Sequence, residues 1–497
     1  MMERWDNLLT QSVGRVPDRT ALIDGSGGLF SYLALERATE EMRAVLLEAG
    51  VNPGDRVLIL LENCAAAVAS IFACSRIGAW AVPVNARQTA PEIDRVLTHA
   101  RPRAVLATTA ASPDAARHAR RLEAAEIFGA FGSMHLAMPF PSAPEADDRV
   151  AALLYTTGTT GEPKGVMISH ANLLYGARQA EVFRGLKPGK ILYGVAPFTH
   201  VMGLTSIMSA TICAGATARL ETRFSVEKLY TELQRDMTHL PAVPQMHALL
   251  MGHVRALGHD RLDSPTLEYV SSGGAPLDPE WKRRAEAFYG LPLQNGYGLT
   301  ETCSAVTVTW NKLGSPDVSV GLELPETRIR IDEAAPGGGE GTGEVLAKGP
   351  QIMLGYYRNP EATAAVLDAD GWLRTGDLGA FDEGRNLHIK GRLKELIIHG
   401  GFNVYPPEVE AALNEHPQVI QCAVVGMMID GDEKVVAFVQ AAAGNLPTED
   451  DLRAFAAGRL AGYKRPSRIV ITQDLPAAPS GKILKARLLE TFADALA

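Results

Sequence analysis

Residues 156 to 165 read Thr156, Thr157, Gly158, Thr159, Thr160, Gly161, Glu162, Pro163, Lys164 and Gly165. Four hydroxyls, three glycines and a lysine fall within ten positions. Glycine lets a backbone come close to a ligand and turn successive N–H groups toward one anion. The threonines add donors and Lys164 adds positive charge, so the implied guest is a polyphosphate. A polar hairpin loop is the competing explanation, since turns favour such residues. A P-loop does not fit. It needs Gly-x-x-x-x-Gly-Lys-Ser/Thr opening a helix, whereas here Pro163 precedes Lys164, Gly165 follows it, and a β-type run comes next.

This segment resembles the signature loop of the acyl-adenylate-forming superfamily, which includes acyl-CoA synthetases, firefly luciferases and the adenylation domains of peptide synthetases. Further motifs follow in the family's order as far as Lys482, so the likeness spans nearly the whole chain. The stretch from Ser271 through Gly273, Gly274 and Ala275 to Leu277 is small enough for a planar ring to lie against it. The resemblance puts adenine there; a tight turn is the alternative. In Asn295, Gly296, Tyr297, Gly298, Leu299, Thr300, Glu301 and Thr302 the resemblance implies that Tyr297 stacks on adenine, Thr300 touches the α-phosphate and Glu301 binds Mg2+, with Thr156 a further metal-side hydroxyl. A carboxylate among phosphates is tolerable only with a bridging cation, and Mg2+ is commonly held by one or two carboxylates plus phosphates. Without a ligand, Glu301 would be an ordinary helix N-terminal acid. Family members often carry Gln where Asn295 stands.

By the same likeness Asp377 is the ribose carboxylate, able to accept from two hydroxyls, and Arg392 a second ribose or phosphate contact. Lys482 matches the lysine that enters the site during adenylate formation. An ammonium there offsets charge on the approaching carboxylate and the transferring group. Lys485 is expected to face solvent. His200 matches a gate beside the acyl pocket, although Thr199 replaces a frequent family aromatic; a lone His is otherwise structural. Lys394 takes the hinge position, and His399, Gly400, Gly401, Phe402 and Asn403 form the loop that helps build the thiol channel.

The elements that must position these groups alternate. Ser31 caps a helix; strands at 56–61, 80–84 and 104–107 interleave with helices at 65–77 and 91–99. Strands are expected at 150–155 and 166–170 around the Thr-rich loop. Such alternation implies an α/β fold with mostly parallel sheets flanked by helices. From about residue 394 the pattern restarts, with a helix at 407–415, strands at 419–425 and 435–440, and a helix at 448–460 that Thr448 and Asp451 open and Gly462 closes. The expectation is a large multi-subdomain N-terminal domain, 1–393, and a small mobile α+β domain, 394–497. The turn at 332–344, rich in glycine, lacks the helix a dinucleotide fingerprint needs.

The chain has 497 residues, 46% hydrophobic and 21% charged, with net charge −9. That balance suits a soluble globular protein and gives no basic footprint for nucleic acid. Five scattered cysteines show no Cys-x-x-Cys pair; neither disulfides nor zinc are implied, and a reducing cytoplasm fits. The N-terminus lacks a signal-peptide core. The uncharged stretch 201–218 is borderline for spanning a bilayer and reads as a buried helix. Homodimers are common among soluble enzymes, which leaves that state open.

The resulting expectation is an ATP- and Mg2+-dependent ligase. It joins a carboxylic acid to AMP, releases pyrophosphate, and then lets coenzyme A displace AMP, the small domain rotating between the steps. Segments 201–204, 273–274 and 298–304 contain no Lys or Arg, which favours a neutral aryl or aliphatic tail over a dicarboxylate. Two rivals stay open: a stand-alone adenylation enzyme loading a carrier protein, and a non-catalytic nucleotide-binding protein that kept the fold.

Overall fold

The computed structural model describes residues 3–25, 27–157, 163–274, 277–400, 402–429, 432–442, 444, 446–477 and 483–496. Gly158, Thr159, Thr160, Gly161, Ala275, Gly401 and Lys482 lie outside the described residues.

Two large sheets dominate. In the first, Leu293–Gln294, Tyr269–Ser272, His239–Ala242, Ile191–Gly194, Thr217–Leu220 and Thr20–Ile23 are neighbours in that order, all parallel; Leu29–Ser31 joins antiparallel at the edge. The second runs Gly355–Tyr356, Pro163–Ser169, Val150–Thr157, Trp80–Asn85, Arg56–Leu61, Ala104–Ala107, Gly132–Ala137, Ala125–Gly129. Its central four strands are parallel and its flanks antiparallel. Central strands such as Arg56–Leu61 are buried at every residue, as a strand covered by helices on both faces must be. The smaller sheets, by contrast, are antiparallel or mixed.

Local chemistry sets the helix ends. The Ser31 hydroxyl accepts from Ala34 N at 3.1 Å to open Tyr32–Glu48. Gly78, at φ 90°, closes Ala65–Ile77 in the left-handed conformation that only glycine enters cheaply. Most of stretch 201–218 is a buried helix, as Met202–Ser209 in π-helical form followed by Ala210–Ala214; Gly215 ends it, and Thr217 and Ala218 already belong to a strand of the parallel sheet. Among the described residues, no helix is long and apolar enough to cross a membrane.

Beyond residue 404 a three-stranded sheet (Val419–Ile429, Asp432–Ala441, Arg468–Thr472) packs with helices Pro406–Asn414 and Glu449–Ala457. Thr448 and Asp451 form the expected capping box. Gly462 does not close that helix. It ends at Ala457, where Arg465 donates to the carbonyls of Ala457 and Leu460 at 3.0 and 2.9 Å, and Gly462 belongs to a later 3-10 turn. The side chain of a residue eight positions on has taken the cap's place.

All five cysteines are buried and free. Burial pushes the Cys64 and Cys303 thiols up to about 12.

Candidate active site

The parallel sheet explains why the motifs meet. Strands Ile191–Gly194, His239–Ala242, Tyr269–Ser272 and Leu293–Gln294 run the same way, so the chain leaves all four at one edge. The loop before His200, the Gly273–Gly274 segment and the Asn295–Glu301 segment follow three of these exits. Ligands of open α/β sheets bind in the crevice outside such carboxyl ends.

On the phosphate side, Val150–Thr157 and Pro163–Ser169 form a hairpin whose last paired residues are Thr157 and Pro163. The second strand starts earlier than expected and stops at Ser169, so Lys164 stands in the ladder opposite Thr156 and His170 opens the next helix. Lys164 Nζ lies 5.0 Å from the ring centre of Tyr356. The Tyr356 hydroxyl donates to Glu301 Oε1 at 2.8 Å. Lys164 and Glu301 are thus joined through a tyrosine that no motif singled out.

Glu301 sits in the 3-10 turn Thr300–Thr302, and its carbonyl accepts from Met353 N at 2.9 Å. Among the described residues no cluster of three or more His, Cys, Asp and Glu side chains could cage a metal. One anchored carboxylate, linked through Tyr356 to Lys164, is nevertheless a pattern Mg2+ can use, with phosphate oxygens and water completing the shell. The residues present fit that ion.

On the nucleoside side, Tyr297 is buried and its hydroxyl donates to Asp377 Oδ2 at 2.6 Å. Asp377 Oδ1 pairs with Arg392 Nε at 3.1 Å, the two residues being register partners on adjacent strands. Burial and the Asp377 carboxylate push the Tyr297 phenol well above its usual range. Asn295 spends its amide within the protein, donating to Ser319 O at 3.0 Å and accepting from Gly296 N at 2.9 Å. It braces the turn into Gly296 and Tyr297. Gly298 is obligatory for packing: a Cβ there would lie 2.3 Å from Ser304 O. Gly274 has φ 83° and is exposed.

His200 is exposed on the loop from Val195 to Val201. Sequence reasoning missed Asn63, which holds this loop by donating to Gly194 O and Ala196 O at 3.0 and 2.8 Å and accepting from Phe198 N at 3.0 Å. Its partners are more than 130 positions away, so no local signal marks it. Gly203 completes the clamp, since a Cβ would meet Pro197 O at 2.2 Å.

Lys394 sits in the 3-10 turn Leu393–Glu395. Desolvation and the nearby Arg392 lower its ammonium pKa, against the pull of Glu395, Asp377 and Glu301. Gly400 N donates to Asp432 Oδ1 at 3.1 Å, and Phe402 stacks on Tyr463 with centroids 4.6 Å apart. Tyr405 donates to Gly337 O at 3.1 Å, in the glycine-rich turn. Lys485, expected in solvent, is instead half-buried: its Nζ lies 2.7 Å from Glu410 and 3.2 Å from Glu395. Two carboxylates from separate elements hold it there, which outweighs the pull of water.

The pattern of AMP-binding enzymes matches residues 9–357, and that of the AMP-binding enzyme C-terminal domain matches 408–482. The chain belongs to the AMP-binding enzyme family. The reaction class follows: ATP-dependent ligation of an acid to a thiol. It is 34% identical to feruloyl-CoA synthase of Amycolatopsis sp, over 96% of both chains. It is also 34% identical to a long-chain-fatty-acid–CoA ligase of Bacillus subtilis, over 97% of this chain and 94% of that one. For 4-coumarate–CoA ligase 3 of Oryza sativa the figure is 33%, over 98% and 92%. The fold superposes on ATP-bound MatB from Rhodopseudomonas palustris with TM-score 0.83 at 29% identity, covering 99% and 100% of the chains. The apo form of MatB gives 0.73, so this backbone lies nearer the nucleotide-bound form. The o-succinylbenzoate CoA synthetase of B. subtilis with ATP and magnesium gives 0.80 at 28% identity, over 97% and 99%.

Proposed function

We propose that this protein activates a carboxylic acid bearing an uncharged aromatic tail and transfers it to coenzyme A. The reading rests on one observation above all: a phosphate-side cluster (Lys164, Tyr356, Glu301) and a nucleoside-side cluster (Tyr297, Asp377, Arg392) come from different sheets and are joined through the short segment 297–301, which follows the carboxyl end of Leu293–Gln294. ATP would lie along that segment with its triphosphate toward Glu301 and its base and sugar toward Tyr297.

In the first step a carboxylate oxygen of the acid attacks the α-phosphorus, and the bond to pyrophosphate breaks. Lys164 and the Thr-rich loop hold the phosphates. Glu301, with Thr156, would hold Mg2+, which supplies charge neutralisation on the phosphate oxygens. Thr300 contacts the α-phosphate. Tyr297 and Gly273–Gly274 flank adenine, while Asp377 and Arg392 take the ribose, whose hydroxyls join donors already on the carboxylate. Lys482 offsets the charge that builds up as two anions meet. In the second step the sulfur of coenzyme A attacks the acyl carbon and AMP leaves. The region from Lys394 onward, residues 394–497, turns about that pivot between the steps, and His200 gates the thiol's approach.

The uncharged tail is supported by the lack of Lys and Arg in 201–204, 273–274 and 298–304, and its aromatic character by the feruloyl- and coumarate-type names among the relatives. The test is acid-dependent pyrophosphate release across a panel of aryl and straight-chain acids. Hydroxycinnamate-type acids should exceed straight-chain ones by roughly 10-fold or more in kcat/KM. The reverse ranking would overturn the aromatic assignment; no release with any acid would overturn the ligase.

A further inference from the structure

Residues 353–357 touch both halves of the phosphate side. Met353 N donates to Glu301 O at 2.9 Å and Leu354 N to Met167 O at 2.9 Å. Gly355 and Tyr356 pair with Met167 and Val166, and Tyr357 N donates to Gly165 O at 2.7 Å. One five-residue stretch therefore fixes the backbone of Glu301 and the strand that carries Lys164. Its own shape is constrained. Gly355 adopts φ 132°, a Cβ there would press on Thr363 at 2.7 Å, and Tyr356 N donates to Thr363 Oγ1 at 2.9 Å.

The Tyr356 side chain repeats the same linkage. It is 7% exposed, its ring faces Lys164 Nζ, and its hydroxyl reaches Glu301 Oε1. A carboxylate with one oxygen held by a phenol presents the other, Oε2, in a fixed direction. Among the described residues Oε2 has no protein partner at hydrogen-bond distance. A cation needs such a monodentate ligand when phosphate oxygens fill most of its shell, and outer partners that orient a ligating carboxylate commonly govern metal affinity.

We infer that Tyr356 is a positioning residue for the metal–phosphate site: its hydroxyl orients Glu301 to offer Oε2 to Mg2+, while its ring seats Lys164 against the triphosphate. The inference rests on the reading of Glu301 as the metal-side carboxylate. Two substitutions separate the two halves of the side chain. Tyr356→Phe keeps the ring and removes the hydroxyl; Tyr356→Leu removes both.

The experiment is calorimetric binding of ATP to the full chain, with Mg2+ titrated and with metal chelated, so the readout does not depend on turnover. For Tyr356→Phe, the Mg2+ concentration giving half-maximal enhancement of ATP binding should rise about 10-fold, with chelated ATP binding unchanged. Tyr356→Leu should show that rise and also weaken chelated ATP binding several-fold. In a Glu301→Gln background, Tyr356→Phe should add nothing further. An unchanged Mg2+ requirement in Tyr356→Phe overturns the inference, and so does an equal shift in both backgrounds. If the unaltered protein binds ATP with no Mg2+ dependence, the assignment of Glu301 itself fails, which is a separate outcome.

Discussion

Tyr297 donates to Asp377 at 2.6 Å while Arg392 grips the opposite oxygen of the same carboxylate at 3.1 Å. The residues proposed for the base and for the sugar are thus one hydrogen-bonded unit. Arg392 immediately precedes the 3-10 turn that contains Lys394, so the unit also ends at the proposed pivot.

Breaking that unit should be felt in ATP affinity. Tyr297→Phe keeps the aromatic face but removes a hydrogen bond to a charged group, worth about 1.5–3 kcal/mol. KM for ATP should rise by roughly 10-fold or more, with kcat changed less. Initial rates against ATP at saturating acid decide; an unchanged KM would show that the bond does not serve nucleotide binding.

Lys482→Ala should lower acid-dependent pyrophosphate exchange by about 100-fold or more, yet leave thioester formation from supplied acyl-adenylate within a few-fold of the unaltered rate. Equal loss in both half-reactions would contradict the alternation of lobes.

Lys485→Met removes the cation from between Glu410 and Glu395, leaving two half-buried carboxylates without it. Stability should fall by about 1–3 kcal/mol, below the cost for a fully buried pair because water still reaches the site. The urea midpoint of the full chain measures this. Adding Glu410→Gln should recover part of the loss by removing the isolated charge; no recovery would show that the cost lies in packing.

Three buried histidines should make stability fall in acid. Burial lowers His170 from the usual 6.5 to about 3, and His239 and His247 to about 4. His247 is fixed between the Tyr289 hydroxyl at 2.8 Å and Ser271 O at 3.1 Å. Because the folded-state values are depressed, the unfolded chain binds more protons below 6.5. The neutral rings therefore contribute full stability above 6.5, and that stability drains away as pH falls toward 4 and then 3. At pH 5 each should cost about 2 kcal/mol relative to pH 7.5. Denaturant midpoints at the two values test it; a flat profile would mean the rings are protonated in place.

What sequence conveyed was local or motif-bound. Ser31 and the Thr448–Asp451 box act within one turn, so adjacent residues suffice to read them. The strand at 56–61 is legible because both of its faces are apolar. Lys485 was misread because Glu410 and Glu395 stand 75 and 90 positions away, and an isolated lysine looks like surface. Tyr356 and Asn63 escaped for the same reason: each does its work across a fold-dependent contact. Gly462 was misplaced because glycine signals a stop only where no side chain has already capped the carbonyls.

The sulfur atoms carry a consequence for a protein that prepares an electrophile. Cys303 comes two residues after Glu301 and is fully sealed from water. Burial keeps that sulfur out of reach of an acyl group activated at the proposed site, which leaves the attack to the incoming cofactor's thiol.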